Sequence, residues 1–205
     1  MKNEFPPVFT ETLMRPHGLV LFAGLRQSGV EETVRGLLAA ANRRLGEDVV
    51  VMDGELGAAG LKKALTAAEE GRLVVLIQRA PTPLVALRRL LSEDFGEGRR
   101  HVLWRLSEQL LLMSGQLRLK GMNDGRAVDA FEILLMTPAL RAALAQEDFS
   151  AADQALRSAA DGAGLVNFNQ AILQMLLRRQ IDIKTAFEAT RDPSHLDEIL
   201  KQVGI

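Results

Sequence analysis

Residues 18–38, GLVLFAGLRQSGVEETVRGLL, set a short apolar run, a glycine-punctuated loop and a helix-like segment one after another. Leu19-Val20-Leu21-Phe22 is long enough for a buried strand. Gly24-Leu25-Arg26-Gln27-Ser28-Gly29 forms the loop, and the segment running to Leu37 and Leu38 has the character of a helix. Strand, Gly-rich loop and helix in that order make the frame of a phosphate-binding P-loop, whose working pattern is G-x-x-x-x-G-K-[ST]. Gly24 and Gly29 stand at the required separation, but the next two positions hold Val30 and Glu31. The frame constrains the fold, and this departure constrains the chemistry.

In a working P-loop the lysine neutralises the β- and γ-phosphates and the hydroxyl after it ligates magnesium. Val30 has neither charge nor donor. Glu31 places a carboxylate where the anion would sit, and Glu32 adds another. Two unit charges about 4 Å apart interact by about 4 kcal/mol at an effective dielectric near 20. One attraction lost and one repulsion gained weakens triphosphate binding by roughly a thousandfold or more. The N–H groups of the helix start could still meet an anion, but Glu31 and Glu32 can satisfy them and the helix dipole from within. A carboxylate is also a good magnesium ligand, which gives Glu31 a competing reading; the absent lysine weighs against it. Standing alone, the loop also fits any strand–turn–helix whose glycines fall there by chance.

The rest of the chain reads in order. Pro6 and Pro7 keep the lead-in to residue 16 extended or only briefly helical. A strand is predicted over 19–22, a helix over 31–44 and a second buried strand over 49–52, where Val49, Val50 and Val51 are β-branched. That strand ends on the acidic tip Asp53-Gly54-Glu55, a place where carboxylates often cap the next helix. Helix 60–70 and strand 73–77 follow, and this alternation argues for a parallel sheet with right-handed crossovers. Beyond Pro83 the pattern turns helical: 84–91, a break at 95–98, then 102–112 with Leu103, Leu106, Leu110 and Met113 on one face and Trp104 off it. A last short strand is expected at 116–119 and a turn at 121–125. Helices are expected at 130–135 continuing into 138–145, then 150–160, 168–178, 182–190 and 193–202, with no strand in 138–200. Thr137 reads as an N-cap with Pro138 in the first turn. Asp182 opens the next-to-last helix and Ser194 helps open the last.

Composition bounds the function. At 205 residues the chain can build one sizeable core, or a domain with a small companion. Its 25 basic and 26 acidic residues leave no global field to recruit nucleic acid or an anionic membrane. Arg88-Arg89 and Arg99-Arg100 form a mild basic cluster, interrupted by Glu93, Asp94 and Glu97 and without an aromatic platform. There is no cysteine, which excludes disulfides and thiolate metal sites and suits a cytoplasmic protein. No apolar run approaches the roughly 18 residues that span a bilayer, and the N-terminus lacks a secretory h-region. His17, His101 and His195 are scattered and read as surface residues rather than ligands, so no metal site is expected.

Four segments besides the loop carry a family resemblance. Residues 9–21 (FTETLMRPHGLVL), 64–74 (ALTAAEEGRLV), 131–141 (FEILLMTPALR) and 164–171 (GLVNFNQA), the last followed by 178–181 (RRQI), resemble in family order the motor ATPases of type IV pili and type II secretion. The retraction (PilT-like) class is the most similar. The resemblance implies an α/β fold: a truncated RecA-like P-loop domain with a small, mainly parallel sheet over residues 1–120, then an all-helical C-terminal subdomain over residues 121–205. It also implies that Asp53 and Glu55 stand at a vestigial Walker B tip, where such motors hold magnesium and activate water. Arg72 and Arg79 replace family histidines. Arginine cannot serve as a base at physiological pH, and both are read as solvated surface residues. Set beside that family, the sequence is expected to lack the strand with an acidic motif between Arg44 and Asp48 and the N-terminal domain that closes over the nucleotide.

These readings converge on a degenerate, non-functional P-loop at Gly24–Leu25–Arg26–Gln27–Ser28–Gly29–Val30–Glu31, no catalytic residue and no cofactor. The expected role is that of a pseudo-ATPase. It would be an interaction or regulatory protein of a pilus (twitching motility) or secretion machine, lying in the cytoplasm at the inner-membrane face. Its partners would be motor ATPase subunits or further copies of itself, with neither nucleic acid nor membrane insertion. One alternative is a divergent ATPase that binds ATP and magnesium and uses Glu55; another is a module with a new ligand in the old nucleotide cleft. Fold likeness alone does not choose among them.

Overall fold

The computed structural model describes residues 5–122, 125–157 and 164–205. The first four residues of the lead-in, positions 123–124 of the predicted turn and the predicted helix end at 158–160 lie outside the described residues. One sheet is built from β1 (Gly18–Gly24), β2 (Val49–Asp53), β3 (Leu73–Gln78), β4 (Leu110–Lys120), β5 (Ala127–Leu135) and β6 (Leu165–Val166), in the order β2-β3-β1-β4-β5-β6. The first four strands pair in parallel, whereas β5 and β6 run antiparallel to their neighbours. The α/β class with a mainly parallel sheet is therefore as read from the sequence.

Every residue of β1 and β3 is buried, as expected of parallel strands covered on both faces. Side chains alternate across the sheet. Leu19 and Leu21 of β1 join Val74 and Leu76 of β3 on one face. There they pack against α3 (Ala58–Glu69), α4 (Pro83–Leu91) and α5 (Arg99–Gln109) through Leu61, Leu65, Leu87 and Leu106. Val20 and Phe22 share the opposite face with Val75 and Ile77 and meet α1 (Pro7–Leu13) and α2 (Val30–Ala40). Each such Leu or Phe contributes about 1.5–3 kcal/mol on burial, so the strand–loop–helix frame around residues 24–29 is firmly held.

The C-terminal part departs from expectation. Residues 130–135, read as helix, belong to β5, and β4 is an 11-residue strand beginning at Leu110, inside the predicted helix 102–112. The two strands form a long hairpin in register from Leu112↔Leu135 to Lys120↔Ala127, and this non-local pairing overrides a weak local preference. The two-residue β6 also falls in the stretch expected to be free of strands, pairing with Ile133 and Leu134. The remainder is helical: α6 (Pro138–Ala145), α7 (Phe149–Arg157), α8 (Phe168–Leu177), α9 (Ile183–Ala189) and α10 (Pro193–Gln202). Thr137 caps α6 and Asp182 caps α9 as read, accepting from Leu140 N at 3.3 Å and Thr185 N at 2.7 Å. The cap of α10 is Asp192 rather than Ser194; its carboxylate accepts from His195 N at 3.1 Å. The outer half of the hairpin, through Leu119 and Ala130, seats α8–α10 by way of Ile172, Met175, Leu196 and Leu200. Among the described residues no helix is long and apolar enough to cross a membrane.

Candidate functional site: the glycine-rich loop

The loop leaves the carboxyl end of β1, where ligands bind in open parallel sheets. Its course requires glycine at both ends. A Cβ on Gly24 would stand 2.2 Å from Ser28 Oγ, because the loop folds back over the strand end. Gly29 adopts the left-handed φ of 76° and is the N-cap of α2, with no side-chain cap bond. Gln27 is also left-handed at φ 70°. The backbone frame read from the glycines is thus present.

The side chains fill it in a way the motif does not show. Val30, at the lysine position, is fully buried in the apolar cluster beneath α2. Glu31 is bonded to the guanidinium of Arg79, which arrives from the end of β3, and the same Arg79 Nη2 lies 3.8 Å from Asp53 Oδ1 at the tip of β2. Glu32 accepts from Arg118 Nη1 at 3.1 Å. Arg118 is clamped in turn by Asp129, its cross-strand partner in the hairpin, at 2.9 Å and 3.3 Å. The Asp129 hydrogen bonds chiefly, with Glu32 adding, raise Arg118 above its ordinary pKa despite partial burial. A Cβ on Gly29 would come within 2.0 Å of Arg118 Nη2, so this guanidinium lies directly on the helix start. Below it Gln116 Nε2 donates to Ser28 O at 2.8 Å, while Ser28 Oγ and Gln116 Oε1 are buried without a partner among the described residues.

Two guanidinium groups and four carboxylates, Glu31, Glu32, Asp53 and Asp129, therefore surround the first turn of α2. An arriving phosphate meets a negative balance, with each arginine already engaged. The reading of Arg79 as a solvated surface residue is corrected by its pairs, and Arg89 Nη1 further holds the Arg79 carbonyl at 2.8 Å. Arg72 is likewise bonded, to Gly46 O at 2.8 Å, at the opposite end of β3 from the loop. Neither Asp53 nor Glu55 caps the next helix, since the N-cap of α3 is Gly57 without a side-chain bond. Asp53 joins the loop cluster, whereas Glu55 is exposed beyond it. Leu25 and Arg26 are exposed on the loop crest. His195 is half-buried and 3.1 Å from Asn169 Nδ2, which corrects its reading as a surface residue. Three of the four arginines of the basic cluster are engaged internally: Arg99 bonds Glu147, Arg88 lies over the Phe149 ring and Arg89 bonds the Arg79 carbonyl.

Sequence reasoning missed Arg118, Gln116 and Gln78, whose Nε2 ties β3 to Gly54 O at 2.6 Å. The alternation Gln116-Leu117-Arg118 places Gln116 and Arg118 on one face and was the available signal, once 110–120 is known to be a strand.

The β1–loop–α2 unit at the carboxyl edge of a parallel sheet defines a P-loop-type α/β domain. No protein-family profile and no curated protein sequence matches the chain. Among solved structures it is similar to the pilus retraction motor PilT with bound ADP, at 20% identity and TM-score 0.81, over 95% of this chain and 67% of that one. It is similar also to the ATPase DotB of Legionella pneumophila (16%, TM-score 0.76, 90% and 63%) and of Yersinia pseudotuberculosis (15%, TM-score 0.72, 94% and 62%). The chain thus has the fold of these motor ATPases and spans about two thirds of their length.

Proposed function

We propose that the chain is a non-hydrolytic relative of the pilus-retraction and secretion motors. In this reading it acts as an interaction or regulatory protein of such a machine at the cytoplasmic face of the inner membrane, without a nucleotide cofactor. The observation that carries this is the filled loop. Arg79 and Arg118, which reach the first turn of α2, are bound to Glu31, Asp53, Glu32 and Asp129, and a buried valine stands at the lysine position. Positioning and electrostatics supply nearly all of phosphoryl-transfer catalysis, so a loop with that balance has little rate to give. The proposed partners are a motor ATPase subunit or a second copy of the chain. Exposed Leu177, Ile183 and Phe187 on the C-terminal helices support such a contact.

The alternative, a divergent ATPase, is supported by the retained course of the loop, with Gly29 still left-handed at the start of α2. Titration of the pure protein with ATP and magnesium, alone and mixed with an intact pilus motor, separates the readings. Absence of nucleotide binding together with a shift in the motor's ATPase rate supports the interaction role. Phosphate release by the chain alone overturns it. A strict monomer in sedimentation that also captures no motor ATPase counts against the proposed partners.

A further inference from the structure

A second candidate site lies on the other face of the β4–β5 hairpin. A cavity of about 110 Å³ opens between the hairpin, α7, α8 and the start of α10. Its focus is Glu132, only 5% exposed, whose Oε2 has no hydrogen-bond partner among the described residues. A buried carboxylate left half-satisfied is costly, and here it faces a space rather than a packed wall. Gly115, the cross-strand partner of Glu132, carries no side chain, and this lets the Phe168 ring, which forms one wall of the space, lie close against the hairpin. A Cβ there would stand 2.9 Å from both Phe168 Cζ and Pro83 Cδ.

The walls select the ligand. The other titratable groups facing the cavity are Asp153 from α7, Arg191 and Asp192 from the α9–α10 connection, and His195 from α10. Of the carboxyl groups here, Glu132 is the buried one with an oxygen left to accept a hydrogen bond, and an acceptor calls for a donor rather than an anion. The start of α8 offers an anion nothing, since the Phe168 N–H serves Glu132 and Asn167 completes a capping box with Gln170. No group of three His, Asp or Glu residues among the described residues is placed to hold a metal ion. Leu117, Leu156 and Phe168 supply an apolar wall beside the carboxyl. At about 30 Å³ per water, the volume equals three to four waters, room for a cationic head on a short stem. Asn169 is fixed by Thr190 Oγ1 at 2.5 Å and the Asp192 carbonyl at 2.8 Å, so the wall is rigid before anything enters.

We propose that this cavity binds a small organic cation, a guanidinium or alkylammonium group on a short alkyl stem, with its head on Glu132 Oε2 and its stem against Leu117 and Phe168. The group is carried either by a free small molecule or by a side chain of a second copy of this chain. The protonation of Glu132 supports the assignment. Burial pushes this carboxyl up to about 7, against the lowering influences of Arg191 and the Phe168 N–H.

The test is calorimetric titration of the full chain with ethylguanidinium and ethylammonium chloride, using tetramethylammonium chloride, which has no N–H donor, as the control. Saturable binding of at least one of the first two is expected at pH 8, and about tenfold weaker binding at pH 6, where Glu132 is mostly protonated. Glu132→Gln weakens it by about tenfold or more. Ala189→Phe, filling the cavity from its wall, abolishes it and serves if the Gln variant does not fold. Sedimentation with and without the probe separates the sources. Oligomers that dissociate on adding probe place a neighbour's side chain in the cavity, whereas a chain whose association state the probe leaves unchanged takes the cation from solution. No saturable binding to the wild type, equal binding of tetramethylammonium, or unchanged binding in Glu132→Gln overturns the proposal.

Discussion

Replacing Glu31 and Glu32 together by glutamine should turn the filled loop into an anion site without restoring the lysine. Glutamine keeps the size of each side chain and a hydrogen bond to its arginine, but removes the charge that engages Arg79 and Arg118 at the start of α2. A carboxylate about 4 Å from a bound phosphate opposes it by about 4 kcal/mol at an effective dielectric near 20 and about 1 kcal/mol in bulk water. The Glu31 side chain is 35% exposed and that of Glu32 71%, so solvent screening places Glu31 near the middle of that range and Glu32 at its lower end. Their sum, about 3 kcal/mol, corresponds to roughly a hundredfold in affinity. Calorimetric titration with pyrophosphate at low ionic strength, wild type beside double variant, measures it, and added salt should erode the gain. An affinity within about threefold of wild type refutes the reasoning, because it would mean that the carboxylates are not what excludes an anion from the helix start.

The remaining predictions concern catalysis, the hairpin and its helices. Val30→Lys with Glu31→Ser should recover some phosphate binding but no ATP turnover; phosphate release over hours checks it, and measurable turnover in the wild type returns the chain to the ATPases. Gly115→Ala forces a Cβ to within 2.9 Å of Phe168 and Pro83 and should destabilise by about 1–3 kcal/mol in denaturant unfolding. Asn167→Ala removes the capping box of α8, with an expected loss of about 1 kcal/mol and a Tm lowered by roughly 2–4 °C. In the fold the Glu132 carboxyl holds its proton up to about 7, against 4.5 when exposed. The native state therefore binds the extra proton between those values, and stability falls by about 3 kcal/mol as pH rises through that window. Unfolding midpoints from pH 4.5 to 8 should show this slope in the wild type and lose it in Glu132→Gln.

The central frame was legible because its signals are local. β1 is a continuous apolar run between Gly18 and Gly24 and β3 one between Gly71 and Pro81, and Gly29 sits where a left-handed N-cap is needed. The caps Thr137 and Asp182 were legible for the same reason. Residues 127–135 were not, since Phe131, Ile133, Leu134 and Leu135 fit a helix as well as a strand, and only the pairing with β4 decides. Within the site, the departures at Val30 and Glu31 could be read directly. The cations that occupy the loop could not, because Arg79 lies 48 residues from Glu31 and Arg118 lies 86 from Glu32. An ion pair across such separations leaves no periodic trace, and a lone arginine in a strand reads as solvated.

The β4–β5 hairpin carries a part of both candidate sites, one on each face. Strand side chains alternate between faces, and the register sets Arg118 opposite Asp129 and Gln116 opposite Phe131, on the face toward α2 and the loop. One residue away, Gly115 stands opposite Glu132 and Leu117 opposite Ala130, on the face toward α8 and the cavity. The hairpin thus lends charge to one side, where Arg118 lies on the helix start, and a carboxyl to the other, where Gly115 lets Phe168 pack close and Glu132 faces the cavity. A slip of one residue in its pairing would turn one strand's side chains to the opposite face, parting Arg118 from Asp129 and setting Glu132 and Leu117 on different faces. Both sites therefore depend on the same register, although they share no side chain. The proposal for Glu132 in consequence does not depend on whether the loop binds nucleotide.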